Sequence, residues 1–299
     1  MVTILSGCGG GYDIFCTLPL YFKFKKQNKK VILISFSFTP LDFLIKFAES
    51  NQINQIDDFC FLIDADKIKD NIKDSYFPEY FLSKELNDQV YIIHSDATIN
   101  QVKDSYYKII KNKKVQNLYL IDGGCDVLLS GQESDLATPV EDMIHLRALV
   151  DLPIKNKYVC AIGMSCDCNS VPKKELIDRL CYLDDILIEK YLWSLDDINV
   201  QQYYDIFHKC NPINSIVNTL ICSRLKNKEG FFTPSILKKR IAKNLVYLDD
   251  YMVTFVKYNL MDIIKRNLYI MNLDLNSKND EIDRSIKIYH SNLIKKIEK

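Results

Sequence analysis

The chain of 299 residues has no excess of either charge, with 39 Lys and Arg against 39 Asp and Glu. It also lacks a basic stripe interleaved with aromatics. Binding to nucleic acid depends on clustered cations that neutralise phosphate, so the sequence argues against such a partner. The Lys-rich pieces 23–26 and 111–114 fall where helices should end, and there they complement the helix dipole. No apolar run approaches the ~20 residues that cross a bilayer, so no membrane association is expected. The N-terminus has no basic segment followed by an apolar stretch and a cleavage site. Ten cysteines contain no Cys-x-x-Cys pair. Cys166 and Cys168 stand close together with no histidine near them in sequence, which argues against structural zinc. Scattered cysteines read as small core residues in a reducing compartment, and the expectation is a soluble, cytoplasmic protein. Internal repeats, low-complexity linkers, a serine nucleophile elbow, a zinc-protease helix and an EF-hand loop are all missing.

What is present is alternation. Short apolar runs at Val2–Ser6, Val31–Phe36, Phe59–Ile63, Val90–Ile93, Leu118–Ile121 and Tyr158–Ile162 are rich in Val, Ile, Leu, Phe and Tyr. Most are apolar on consecutive positions, as in strands buried on both faces of a parallel sheet. Amphipathic segments at Ile14–Lys26, Leu41–Glu49, Ile99–Asn112 and Val140–Val150 read as helices. Thr39-Pro40 and Thr138-Pro139 carry the cap-then-proline signature of a helix start, and Asp13 precedes the first helix. The fold class expected is α/β, a Rossmann-like, doubly wound and mainly parallel sheet over residues 1–170.

Residues 171–299 read as a mostly helical C-terminal part, either a subdomain packed on the first or a continuation of the same domain. Helices are expected at Lys173–Glu189, Val200–Lys209, Ile213–Leu225, Ser235–Lys243 and Asp280–Lys299, with a turn at residues 230–234. Tyr251–Tyr258 reads either as a strand or as the start of a helix reaching Asn267.

The residues with chemistry gather after the expected strands. Gly9, Gly10, Gly11 and Asp13 follow the first, in a turn where glycine lets the backbone approach a ligand and exposed N–H groups favour anions. Gly7-x-Gly9 starts a dinucleotide fingerprint, but position 12 is Tyr where the third glycine belongs, and no Gly-Lys-Ser/Thr makes it a Walker loop. Asp122, Gly123, Gly124 and Asp126 follow Leu118–Ile121, with Glu133, Thr138, Glu141 and Asp142 close behind. Asp167 follows Tyr158–Ile162 and Gly163. Carboxylates in such loops hold Mg²⁺, hydrogen-bond ribose, or exchange protons. The blander reading has Asp13, Asp126 and Asp135 capping turns, and Glu141 and Asp142 complementing a helix dipole. His94 ends a strand on the same edge and is a further ligand candidate.

Together, the Gly-Gly-Gly-x-Asp turn, Asp122-Gly-Gly-x-Asp126, and Gly131-x-Glu133 leading into Thr138-Pro-x-Glu-Asp142 resemble the domain-of-unknown-function 1152 family over residues 1–170. The resemblance implies an α/β fold and a site, and no reaction. The matching positions are Gly9, Gly10, Gly11, Asp13, Asp122, Gly123, Gly124, Asp126, Gly131, Glu133, Thr138, Pro139, Glu141, Asp142, Gly163 and Asp167. Cys8 replaces a glycine and Cys125 a small serine. Asn169 stands where the family pattern has an acid, which implies a member that binds without turnover if that acid is catalytic.

The reading that follows is an enzyme acting on a small anionic metabolite, a nucleotide or phosphorylated sugar, by hydrolysis or group transfer. Asp122, Asp126, Glu133 and Asp167 are its candidate catalytic residues. Gly9, Gly10, Gly11, Asp13, Gly123, Gly124, His94, Thr138, Glu141 and Asp142 are its candidate ligand-binding residues. Mg²⁺ or a nucleotide is the cofactor considered, and no metal ligand set is assigned. The alternative is a non-catalytic nucleotide- or dinucleotide-binding module with a protein partner. A third reading is a structural protein with a vestigial site.

Overall fold

A computed structural model describes residues 2–51, 53–68, 72, 76–210, 215–232, 237 and 246–297. Five strands run parallel at its centre: β1 (Val2–Gly7), β2 (Lys30–Ser37), β5 (Val90–His94), β6 (Val115–Asp122) and β7 (Asn156–Ala161). Four antiparallel strands complete the sheet. β3 (Asn54–Gln55) and β4 (Cys60–Ile63) extend the β5 edge, while β11 (Thr254–Asn259) and β8 (Leu187–Leu192) extend the β7 edge. The strand order is β3-β4-β5-β2-β1-β6-β7-β11-β8. A separate two-stranded ribbon pairs β9 (Gly230–Phe232) with β10 (Val246–Leu248).

Adjacent residues of the central strands feed opposite cores. Ile4 joins one apolar cluster and Leu5 the other; Ile32 and Ile34 face one side, Leu33 the other. Each such fully buried Leu or Ile contributes about 1.5–3 kcal/mol of transfer free energy. Helices cover both faces. α4 (Ile99–Ile110), α5 (Val140–Leu149), α6 (Lys173–Tyr182), α9 (Leu260–Lys265) and α10 (Asn279–Ile297) supply one core. α1 (Leu18–Lys26), α7 (Ile198–Lys209) and α8 (Ile216–Leu225) supply the second. α2 (Leu41–Asn51) and α3 (Pro78–Leu86) close a smaller cluster over the β4–β5 edge.

The doubly wound α/β layer is as expected, and several details are not. The Phe59–Ile63 run forms a strand, but an antiparallel one. The helix expected at Ile14–Lys26 begins instead as a 3-10 segment, Gly11–Thr17, before α1. Gly10 and Gly11 force this entry, with φ of 92° and 56°; a side chain on Gly10 would also meet the Phe38 ring at 2.7 Å. The helix expected over Lys173–Glu189 stops at Tyr182, and a short 3-10 turn leads into β8. β8 alternates exposed and half-buried residues along an outer strand, a period of two that overrides the helical reading. The Tyr251–Tyr258 run resolves into both alternatives, β11 followed by α9. α3 was not anticipated, although Pro78 at its first turn is the usual start signal. The expected turn at 230–234 contains β9, and its last two residues lie outside the described residues, as does the expected helix 235–243 apart from Leu237. Because β8 and β11 join the main sheet, residues 171–299 continue the sheet begun by residues 1–170.

Candidate functional site

From β1 the chain winds outward through β2 toward one edge, and β6 and β7 are laid down on the opposite side. The carboxyl ends of β1 and β6 therefore meet at the reversal of strand order, where open α/β sheets form their ligand crevice. Gly7 pairs with Ile121 there, and Cys8 N–H donates to Ile121 O at 2.8 Å. A cleft of about 280 Å³ opens at this point. It is lined by Gly9, Gly10, Tyr12 and Asp13 after β1, by Asp122, Gly123, Gly124 and Asp126 after β6, and by Asp167 after β7. Thr138 and Asp142 at the start of α5, Tyr76, and Ser215–Val217 at the start of α8 complete its wall.

Five carboxyl groups thus share one small cleft, and among the described residues that line it there is no Lys, Arg or His. Among the described residues none of the five takes part in an ion pair. Two of them lean on backbone N–H groups. Asp13 Oδ2 accepts from Gly9 N–H at 2.9 Å and Gly123 N–H at 3.3 Å, so it ties the first glycine turn to the second. Asp167 Oδ2 accepts from Cys125 N–H at 2.6 Å. Asp126 Oδ2 accepts from the Thr138 hydroxyl at 3.3 Å. Asp122 and Asp142, 2 % and 1 % exposed, retain Oδ2 and Oδ1 respectively with no hydrogen-bond partner among the described residues.

Burial dominates the electrostatics. It raises the carboxyl of Asp13 to about 7 and that of Asp167 to about 8, each helped by the charge of Asp126. Burial and the neighbouring acids push Asp122 and Asp142 well above the ordinary carboxylate range, and burial raises Asp126 as well. Glu141, just outside the lining, rises to about 7, again chiefly through burial. Carboxyl oxygens of Asp122, Asp126 and Asp142 lie within 4.8 Å of one another. Two full charges about 4 Å apart cost about 4 kcal/mol at an effective dielectric near 20, so the group ionises fully only when a cation joins it.

The structure brings Asp13, Asp122, Asp126, Asp142 and Asp167 together, with Gly9, Gly10, Gly123, Gly124 and Thr138 around them. It leaves other expected residues apart. Glu133 lines a different cleft of about 510 Å³, with its carboxylate accepting from Ser130 N–H, the Ser130 hydroxyl and Gly131 N–H. His94 is buried, held between Thr39 O and Asp96 N–H, and does not line the acidic cleft. Gly11 falls between the lining residues Gly10 and Tyr12 but does not itself line the cleft. Asn169 is exposed and also outside it, so the departure there removes no carboxyl from the five. The thiols beside Asp167 are pushed up by burial, Cys168 to about 11, which removes them as nucleophiles at neutral pH. Sequence reasoning missed Tyr12, Tyr76 and the first turn of α8. Gly123 and Gly163 carried the signal for the last of these: a side chain on either would strike Val217, at 3.1 and 2.9 Å.

Residues 4–222 match a family described as "Protein of unknown function (DUF1152)". The chain belongs to that family. No curated protein and no solved structure matches it. The family match spans all five cleft acids and the start of α8.

Proposed function

We propose that this DUF1152 member is an enzyme acting on a small anionic metabolite, a nucleotide or phosphorylated sugar, by hydrolysis or group transfer. The observation that carries the reading is the gathering of five carboxyls at the strand-order reversal of the sheet. An anion cannot enter such a cleft alone, because the floor repels it. It binds together with a divalent cation, which Asp122 and Asp126 would hold. The first turn of α8 lines the cleft as well, and the positive end of a helix dipole favours the phosphate part of the same ligand. Tyr12 and Tyr76, packed edge to face with centroids 5.7 Å apart, offer ring surface for a base or sugar. Gly9 N–H is already engaged by Asp13, so the cation and α8 take over the anchoring role expected of the glycine turn.

Held by Asp122 and Asp126, such a cation would supply Lewis-acid polarisation of a phosphoryl oxygen. Asp167, held by Cys125 N–H at the cleft wall, exchanges the proton of the attacking or leaving group. A thermal-shift panel of nucleotides and sugar phosphates, with and without Mg²⁺, tests binding. A ligand at 100 times its Kd adds about 2.7 kcal/mol, a shift of several degrees. Product formation is then followed by phosphorus NMR. Asp167→Asn should keep the thermal shift and lower turnover by about 10²–10⁴-fold. A panel without a hit would contradict the reading. A Mg²⁺-dependent hit that is never converted would replace the enzyme with a binding module.

A further inference from the structure

We infer that the protein holds a resident hard divalent cation, before any metabolite arrives, between Asp122, Asp126 and Asp142. This rests on reading the acidic cleft as a functional site, and adds to that reading a third ligand and a cation that belongs to the protein. Asp142 is the informative member. A first-turn acid of α5 is explained by the helix dipole when it faces water, but Asp142 is 1 % exposed and turned inward.

Two independent observations converge. Geometrically, ligand oxygens of the three residues lie within 4.8 Å of one another. Oxygens on opposite sides of Ca²⁺ are about 4.6–5.2 Å apart, and around Mg²⁺ about 4.0–4.2 Å, so all three reach one ion directly or after a small closure. Chemically, Asp122 Oδ2 and Asp142 Oδ1 are buried acceptors without a donor among the described residues. Buried polar groups are normally satisfied, and buried charges are normally paired or bound to metal. Among the described residues the fold supplies donors to the neighbouring acids, while one buried oxygen of each of these two is left without any. Asp13 has two backbone N–H groups, Asp167 has one, and Asp126 has the Thr138 hydroxyl. Oxygen-only ligands select Mg²⁺, Mn²⁺ or Ca²⁺ over softer metals.

The three ligands come from two rigid origins. Asp122 is the last residue of β6, and Asp126 opens the 3-10 turn that follows it. Asp142 stands on α5, which packs against that turn through the Thr138–Asp126 hydrogen bond and the apolar core beneath. Open positions remain on the cleft side for water or a phosphate oxygen, as in a site whose ion takes part in chemistry.

The test uses the full chain, treated with chelator and kept free of any metabolite, titrated with Mn²⁺ while the paramagnetic signal of free Mn²⁺ is recorded. One Mn²⁺ per chain should disappear from the free signal, and excess Mg²⁺ or Ca²⁺ should return it. Asp122→Asn, Asp126→Asn and Asp142→Asn, tested separately, should each weaken binding by about tenfold or more. Asp135→Asn, an exposed turn acid, should bind as the parent chain does. Binding that is absent, or unchanged in any of the three cleft variants that remains folded by circular dichroism, overturns the inference. Because no metabolite is present, Mn²⁺ binding stands even if the metabolite panel is blank. A metabolite that binds only together with Mg²⁺, to a chain that takes up no Mn²⁺ without it, would overturn the resident cation while leaving the site reading in place.

Discussion

Glu133 and Asp142 sit on one stretch of chain, both nearly sealed from solvent at 7 % and 1 % exposure, and the fold treats them in opposite ways. Around Glu133 every acceptor is served. Ser130 and Gly131 donate to its carboxylate, Arg179 stands 4.0 Å away, and His290 from α10 bonds its carbonyl oxygen at 2.6 Å. Asp142 has an unpartnered oxygen and faces four other acids across the acidic cleft. A buried acid with matched donors is a scaffold piece. A buried acid left beside others of its kind supports the proposal of a site completed by a partner from outside the chain.

Substitutions that exploit this contrast should act with opposite signs. The largest effect is expected at Glu133→Ala, which leaves the buried charge of Arg179 with only the Leu128 and Arg266 carbonyls and removes the acceptor of the Ser130 and Gly131 donors. Chemical denaturation should report a loss of about 3–5 kcal/mol; a loss below about 1 kcal/mol would mean the ion pair is not structural. Next comes Gly7→Ala, whose new methyl would sit 2.7 Å from Ile14 N and 3.0 Å from the Asp13 carbonyl carbon. It should cost about 1–3 kcal/mol and displace Asp13 from Gly9 and Gly123, weakening cation and metabolite binding together. If that variant bound both normally, the tie through Asp13 would be irrelevant to the cleft. Asp142→Asn should do the reverse of Glu133→Ala. Removing one repelling charge should raise the stability of the metal-free protein by about 1 kcal/mol near neutral pH while abolishing its response to Mn²⁺. A drop in metal-free stability would place Asp142 with Glu133 as a structural acid. Asp135→Asn, where the carboxylate only closes a turn onto Ala137 N–H, should stay within about 0.5 kcal/mol.

Much of the sheet was legible because its central strands are apolar on both faces, so that consecutive Val, Ile and Leu at positions such as 31–34, in runs too short for a helix, read as strands. The strands that escaped notice lie at the edges. β8 is half exposed and shares its segment with charges spaced as on a helix, so only its pairing with β11 identifies it. The site was legible in part for a related reason. Asp122, Asp126 and Asp167 each follow a readable strand, and a strand end fixes position. Glu133 follows the same acidic stretch but is turned away by the Ser130–Gly131 loop, which no periodicity reports. Asp142 was obscured because a helix-start acid has an adequate local explanation. Thr138 has the sequence of a helix cap, yet its hydroxyl goes to Asp126 rather than to the helix. The start of α8 enters the cleft only through long-range packing.

The account turns on whether the cleft acids await a cation, and one measurement addresses this directly: the thermal stability of the metal-free protein across pH, with and without millimolar Mg²⁺. Asp167 is raised from 3.8 to about 8, and Asp13 from 3.8 to about 7. The folded chain therefore holds these protons more tightly than the unfolded chain. Their stabilising contribution is complete below the unfolded values and is lost as pH rises through the folded ones. Without Mg²⁺, stability should fall between about pH 4 and pH 8. With Mg²⁺ most of that fall should vanish, because the charge of a cation at Asp122, Asp126 and Asp142 favours the ionised forms of the acids around it. A residual slope should remain from Glu79, a buried acid raised to about 7, which accepts from Ser35 and lies outside the cleft lining. A pH profile indifferent to Mg²⁺ would contradict the account.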